Sequence, residues 1–378
     1  MAYIHGLSSS YEHEPILPHT VRISRDEGVF NINGRQIHYF TTGNTARGFV
    51  ELAETRTLKK IGLIGPSTVD KSNLLSNIAN TLSQYGITTE LIHNSLNAGW
   101  ITAVIIPSLQ IGIIDGEADL SIDLSDAYDP ILLAAKKLEM NTLLTIKDES
   151  LLQAYSTFAE ALAIHDEWEA IYIGNTDFDK LNAFTDNFAK QLFSDVHFTT
   201  QANIEKRFLG AATADGAVDF VDNLTNGLQK RYLLKGRPGS GKSTLLKKLA
   251  HIAKQRGIHT EIYYCGFDPY SVDMVIIREL NVAIFDSTAP HEYFPTLPGD
   301  EIIDLYEEAI LPTTDTTFAG KIEQISARYT EKMTEAIEYL SEAKQAQDEL
   351  EELVAQTFDF NKLMEIEQQL PQLLFKGM

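Results

Sequence analysis

The chain has one cysteine in 378 residues, a deficit of basic side chains and no long apolar run, and each shortage excludes something. Cys265 alone forms no intrachain disulfide, and no cysteine spacing suits a metal, so a reducing, cytoplasmic setting is expected. Lys and Arg number 31 against 53 Asp and Glu, a formal net charge of −22. So acidic a chain repels phosphate backbones, which argues against a nucleic-acid partner unless positive charge is gathered locally. No stretch approaches the roughly 18–20 apolar residues of a bilayer span. The opening Met1-Ala-Tyr-Ile-His-Gly6 lacks the basic start and apolar centre of a secretory signal, so no membrane partner is expected. What is present is 44% apolar residues, enough for a sizeable core, over a length that suits two or three domains.

Two segments align without a gap. Residues 62–116 fall on 233–287 at a constant offset of 171: Gly65 on Gly236, Lys71-Ser72 on Lys242-Ser243, Leu74-Leu75 on Leu245-Leu246, Asp115 on Asp286. Further on, Asp166-Glu-Trp-Glu169 falls on Asp348-Glu-Leu-Glu351, and Asp177-Phe-Asp-Lys180 on Asp359-Phe-Asn-Lys362, both at an offset of 182. Upstream the match weakens to His38–Thr42 against His197–Thr200. The chain is therefore a tandem duplication. It divides into an N-terminal segment (1–36), a first copy (37–190) and a second copy (191–378), each copy ending in a helical extension.

Within each copy the pattern reads strand, helix, strand, helix, strand. Arg231–Lys235 is a short apolar strand, and 242–256 carries Leu245, Leu246, Leu249 and Ile252 at helical spacing with Gly257 as a stop. Residues 261–265 and 281–286 read as buried parallel strands, since alternation with helices implies crossover connections. The expected fold is α/β, two tandem domains each with a parallel sheet flanked by helices. Ile322, Ile325, Tyr329, Met333, Ile337 and Leu340 recur at steps of three and four, an amphipathic helix. The acidic stretch 341–353 reads as its solvated continuation.

Gly236-Arg237-Pro238-Gly239-Ser240-Gly241-Lys242-Ser243-Thr244 satisfies the phosphate-binding pattern G-x-x-x-x-G-K-[ST], between an expected strand and an expected helix. Glycines let successive backbone N–H groups turn towards an anion, and the helix N-terminus adds its positive end. In that pattern Lys242 neutralises β- and γ-phosphate oxygens and the Ser243 hydroxyl ligates Mg²⁺. Asp286 ends an apolar strand 44 residues after Lys242, which suits the second Mg²⁺ carboxylate. It is followed by Ser287, whereas fast ATPases often carry a glutamate there, which argues against a motor-type engine.

Four further residues are candidates for orienting a water or an acceptor hydroxyl. Asp268 and Asp273 lie beyond the strand ending at Cys265, although an Asp-Pro turn with Asp273 opening a helix explains them equally well. Thr288 and His291 lie just past Asp286, at the edge where open α/β sheets bind ligands. Cys265 itself reads as a small buried hydrophobe. Basic residues gather around the loop at Lys230-Arg231, Lys235, Arg237, Lys242 and Lys247-Lys248, a local cluster able to hold a phosphate tail. The first copy departs at one place, Gly65-Pro-Ser-Thr-Val-Asp70-Lys71-Ser72, where Asp70 replaces the glycine before the lysine. That carboxylate is expected to repel phosphate and to pair with Lys71, leaving a degenerate site.

The chain resembles an uncharacterised bacterial family, mainly of bacilli and clostridia, of tandem phosphate-loop ATPases or nucleotide-kinase-like proteins. The likeness rests on Lys235–Thr244, Cys265-Gly-Phe-Asp-Pro-Tyr-Ser-Val-Asp273, Asp286-Ser-Thr-Ala-Pro-His291 and Pro298-Gly-Asp-Glu-Ile-Ile-Asp304 in the second copy. In the first it rests on Thr42–Phe49 and the region of Lys71. It implies the fold and ATP binding and leaves the substrate open. The expectation is a Mg²⁺-dependent ATP hydrolase acting at the second copy, with a regulatory first copy and helical extensions that are candidate homodimer surfaces. The alternatives are a phosphotransferase acting on a small-molecule phosphate acceptor, and a nucleotide-switched scaffold with little turnover.

Overall fold

The offset of 171 reappears as a repeated set of elements in the computed structural model, which describes residues 34–194, 196–198, 201–362 and 364–366. The first copy comprises β1 (Gln36–Tyr39), the hairpin β2 (Thr42–Thr45) and β3 (Gly48–Glu51), β4 (Lys59–Ile64), α1 (Thr68–Gln84), β5 (Thr89–His93), β6 (Ile101–Ile106), β7 (Ile111–Asp115) and β8 (Leu120–Asp123). Two helices follow, α2 (Pro130–Ile173) and α3 (Phe178–Phe193). The second copy repeats this with β9 (Ile204–Phe208), the hairpin β10 (Gly210–Thr213) and β11 (Gly216–Asp219), an added short α4 (Val221–Thr225), β12 (Lys230–Lys235), α5 (Lys242–Gln255), β13 (Thr260–Tyr264), β14 (Val272–Ile277), β15 (Val282–Asp286) and β16 (Asp300–Asp304). Two short helices, α6 (Leu305–Ala309) and α7 (Thr314–Thr317), lead into α8 (Ala319–Ala355). The described residues make one compact unit. No described helix is long and apolar enough to cross a membrane.

The α/β class holds, but the sheets are mixed. Each is six-stranded, in the order β1-β5-β6-β7-β4-β8 and β9-β13-β14-β15-β12-β16. In the second copy β12 runs parallel to β15 and β16, and β13 parallel to β9, whereas β14 is antiparallel to both neighbours. A second helix was expected where β14 lies. Val272–Ile277 is a six-residue, largely β-branched run, too short to serve as a crossover helix between parallel strands and well suited to a buried strand. It returns to β15 through a single 3-10 turn capped by Asn281, which takes a left-handed φ of 52°; Gln110 does the same in the first copy with φ 54°.

Upstream, the counterpart of 36–48 is 204–216 and not the stretch from His197. Phe40 and Phe208 then correspond, and they form a bridge to each other. Of the N-terminal segment expected over 1–36, residues 1–33 lie outside the described residues, and Gln36 already belongs to β1.

One face of each sheet is covered by its own helix. Leu74, Leu75 and Ala79 of α1 pack on Ile61, Leu63, Val104 and Ile113; Leu245, Leu246 and Leu249 of α5 pack on Leu234, Val275 and Ile284. The other faces share a core, Ile92, Ala103 and Ile105 meeting Leu233, Met274, Ile276 and Phe285. The long helices α2 and α8 lie antiparallel, joined by Lys147 to Gln347, Ser150 to Glu342 and Arg328 to Glu167. Ala154 and Phe158 face Ala336 and Leu340 across that seam.

Because α2 and α8 cross between the copies, the extensions are exchanged. Leu181, Phe188, Ala189 and Phe193 of α3 pack into the core of the second copy, while Val354, Phe358 and Ile366 pack on the first. The boundary expected at 190 falls inside α3. The stretch 341–353 is helical as expected, but its inner face is buried, including Gln347, Leu350 and Glu351.

Candidate functional site

Strand pairing sets the site. Asp286, last residue of β15, is registered against Leu234 of the parallel β12, so its carboxylate emerges where the chain leaves β12 for the loop 236–241. The loop delivers its residues to the N-terminus of α5, with Gly241 as the cap at φ 93°. A Cβ on Gly241 would lie 2.6 Å from Leu181 of α3, and one on Gly239 (φ 73°) 2.8 Å from the Glu169 carbonyl of α2. The extension of the first copy therefore closes over the loop of the second.

Lys242 is 9% exposed. Its ammonium donates to the Arg237 carbonyl at 3.1 Å and stands 3.6 Å from Asp286 Oδ2, sparse compensation for a charge so far removed from water. Ser243 Oγ accepts from the Val272 amide at 2.9 Å and retains a second lone pair. Ser240 is 1% exposed and its hydroxyl has no hydrogen-bond partner. Pro238 is half-buried, while Arg237 and Thr244 are exposed. Asp286 Oδ1 is held by Thr288, whose hydroxyl donates at 2.6 Å and whose amide donates at 3.1 Å.

The expected basic cluster is largely spent elsewhere. Lys230 pairs with Glu301, Arg231 with Asp300, Lys235 with Glu292, Arg237 with Asp315 and Lys248 with Asp186. Lys242 is thus the cation set against the loop. Asp268 is drawn away as well: it accepts from Arg47 Nε at 3.0 Å, and that guanidinium stacks on Tyr270 at 4.1 Å, tying the turn of the β2–β3 hairpin to the second copy.

Asp273 lies in β14, not at a helix start, and faces the site. Burial, with the charge of Asp286 beside it, pushes its carboxyl up to about 6. Burial likewise pushes the Cys265 thiol up, as suits a hydrophobe and not a nucleophile. His291 Nδ1 pairs with Asp219 Oδ2 at 2.6 Å, and the Tyr293 hydroxyl donates to Asp219 Oδ1 at 2.5 Å. Burial works against the imidazolium, but the Asp219 hydrogen bond and charge, with Asp273 and Asp286 behind, outweigh it and raise the His291 pKa. Lys242, Asp273, Asp286 and His291 are therefore one electrostatic cluster, from which Asp268 is excluded by its pairing.

Sequence reading missed Asp219, at the end of β11, and Tyr293, beyond β15, because nothing marks either before folding brings Asp219 to His291. It also missed His165 of α2. Burial depresses the His165 imidazole, which senses Glu169, Asp166, Lys242 and Asp268. His165, Asp166 and Glu169 offer ligand atoms within 4.8 Å of one another, a grouping on the covering helix and apart from Asp286.

The first copy is different. Lys71 pairs with Asp115 at 2.6 Å, and Asp70 accepts from the Tyr128 hydroxyl at 2.6 Å, so the expected Asp70–Lys71 pair does not form. A cavity of about 860 Å³, with Lys60, Trp100, Tyr155 and Lys147 in its wall, lies beside this copy and reaches Thr68 and Asp115; it is not at the second loop. No family model, curated protein or solved structure matches this chain.

Proposed function

We propose that the second copy is an ATP-binding phosphate-loop domain that hydrolyses ATP slowly with Mg²⁺, and that the first is a degenerate copy with a regulatory part. The observation that carries this is the state of Lys242: a buried ammonium at a helix N-terminus, weakly compensated, beside the registered carboxylate of Asp286. In the same loop the buried Ser240 hydroxyl has no protein partner and fits a polar group held there. Backbone N–H groups of 236–241 and the Lys242 ammonium would hold the phosphates, and Ser243 and Asp286 would hold Mg²⁺. Bound Mg²⁺ supplies charge neutralisation at the phosphate oxygens.

The chain itself supplies a base. Above about pH 6 Asp273 is ionised and can take a proton from an attacking water, while the Asp219-supported His291 adds positive charge beside it. With Ser287 in place of a glutamate, and its hydroxyl donated to the Tyr293 carbonyl, Asp273 is the base this geometry favours. The same carboxylate would serve an acceptor hydroxyl, which keeps phosphotransfer to a small molecule as the second reading.

Equilibrium binding of MgATP tests the assignment. Lys242→Ala should weaken it at least a hundredfold and Lys71→Ala less than twofold; the reverse order would refute it. ADP formation that depends on an added acceptor and is not matched by released phosphate would favour the transferase, and tight binding without turnover a switched scaffold.

A further inference from the structure

The loop of the first copy already holds an anion, and the chain provides it. Ser67 Oγ donates to Glu351 Oε2 at 2.7 Å, the Thr68 amide to Oε1 at 3.0 Å, and the Val69 amide to Oε2 at 3.5 Å. Gln347 Nε2, one turn back on α8, adds a fourth donor to Oε1 at 2.9 Å. Ser67 is the cap of the 17-residue α1, so these amides belong to its first turn. Free helix N–H groups reinforced by a hydroxyl are the donors an oxyanion needs. Glu351 is 8% exposed and comes from the extension of the other copy, more than 280 residues along the chain.

The repeat isolates what differs in the second copy. There Glu169 stands where Glu351 stands, and Pro238-Gly239-Ser240 replace Ser67-Thr68-Val69. Pro238 has neither the hydroxyl nor an N–H to offer. The Glu169 side chain is 37% exposed, turned to His165 at 3.8 Å, and among the described residues no hydrogen bond joins it to the loop. One copy of the helix thus puts its carboxylate into the loop and the other does not, the Ser240 amide there donating to the Arg237 carbonyl at 3.1 Å.

We propose that the first loop is an oxyanion site filled from within, Glu351 standing where a nucleotide phosphate would stand, so that the first copy is shut to nucleotide and its loop clasps α8. This rests on the reading of the first copy as degenerate and gives that degeneracy a different agent. Asp70 is turned to Tyr128, and the loop's donors are taken by Glu351.

Thermal melting with inorganic phosphate as the probe tests it, in a full-length Lys242→Ala chain that silences the second loop. Adding Glu351→Ala should lower Tm by roughly 4–8 °C, since four donors lose their acceptor. Inorganic phosphate should restore at least half of that fall, while the Lys242→Ala chain alone shows no phosphate shift at the same concentration. Glu169→Ala in the same background should show neither effect. A Glu351→Ala chain as stable as its parent, or one whose Tm phosphate leaves unmoved, overturns the proposal. Should Glu351→Ala fail to fold, Glu351→Gln decides: amide exchange at Thr68 and Val69 should rise at least tenfold, and unchanged exchange overturns the proposal. Because the readout is phosphate at the first loop, failure of the intact chain to bind ATP would refute the reading of the second loop without touching this result.

Discussion

Asp273→Asn separates the electrostatics of the site from its packing. The native carboxyl is pushed from 3.8 to about 6 by burial and by Asp286. Between those values the folded chain keeps a proton that the unfolded chain has released, so unfolding loses a proton and stability falls as pH rises. Each tenfold change in proton affinity is about 1.4 kcal/mol, so the displacement amounts to as much as about 3 kcal/mol lost between pH 4 and 7. Residual exposure of Asp273 makes this an upper limit. Asparagine keeps the shape and cannot ionise, so its other consequences do not vary with pH across this window. Urea unfolding of the two proteins from pH 4 to 8 should give a difference that grows in favour of Asp273→Asn with rising pH and levels off near 7. Titrating groups remote from Asp273 cancel in that difference, whereas Asp286 and His291, which feel its charge, contribute to it. A flat difference, or one of opposite slope, would refute the placement of Asp273 against Asp286. The same variant should abolish the rise of hydrolysis with pH through about 6.

Two further substitutions test the contacts between the copies. Gly239→Ala adds a Cβ 2.8 Å from the Glu169 carbonyl in a left-handed backbone, and should cost about 1–3 kcal/mol in thermal unfolding while weakening MgATP binding; a neutral result would mean that α2 does not close on the loop. Arg207 is 3% exposed, meets Tyr39 at 4.1 Å and Glu90 across the junction of the copies, and pairs with Glu205 and Glu261 within its own. Arg207→Ala should therefore cost about 3–5 kcal/mol in denaturant unfolding, and a loss below 1 kcal/mol would show that the three carboxylates are relieved by water.

Local pattern revealed what local forces decide. The helix from Lys242, with Leu245, Leu246 and Leu249 inward, and the strand ending at Asp286 follow from periodicity and from the glycine-rich turn. The expectation of a helix at β14 failed because a six-residue apolar run was given a connecting role that its length cannot fill. The hairpin match failed because the link from hairpin to central strand is three residues longer in the second copy, where α4 is inserted, so the offset changes from 171 to 168. Glu351 was unreadable for a different reason. In the sequence it is one acidic residue among many on a helix, and only the crossing of α8 to the other copy's loop gives it donors. The pairing of Arg237 with Asp315 and of Asp268 with Arg47 is of the same kind, set by long-range packing that outweighs proximity in the chain.

The exchanged helices make ownership run against chain order. The first copy's core is completed by the last described residues of the chain, and the second copy's by residues that precede it. Severing the chain between α3 and β9 would leave a leading fragment bearing a helix that belongs to its neighbour, and a trailing fragment bearing the other's. Neither half could bury its own apolar surface, yet together the halves hold all the parts. At about 1.5 Å per residue α2 is a strut of some 66 Å that begins beside one loop and ends against the other. A nucleotide that shifts its far end would pull along the helix axis, and the near end is anchored where Tyr128 meets Asp70.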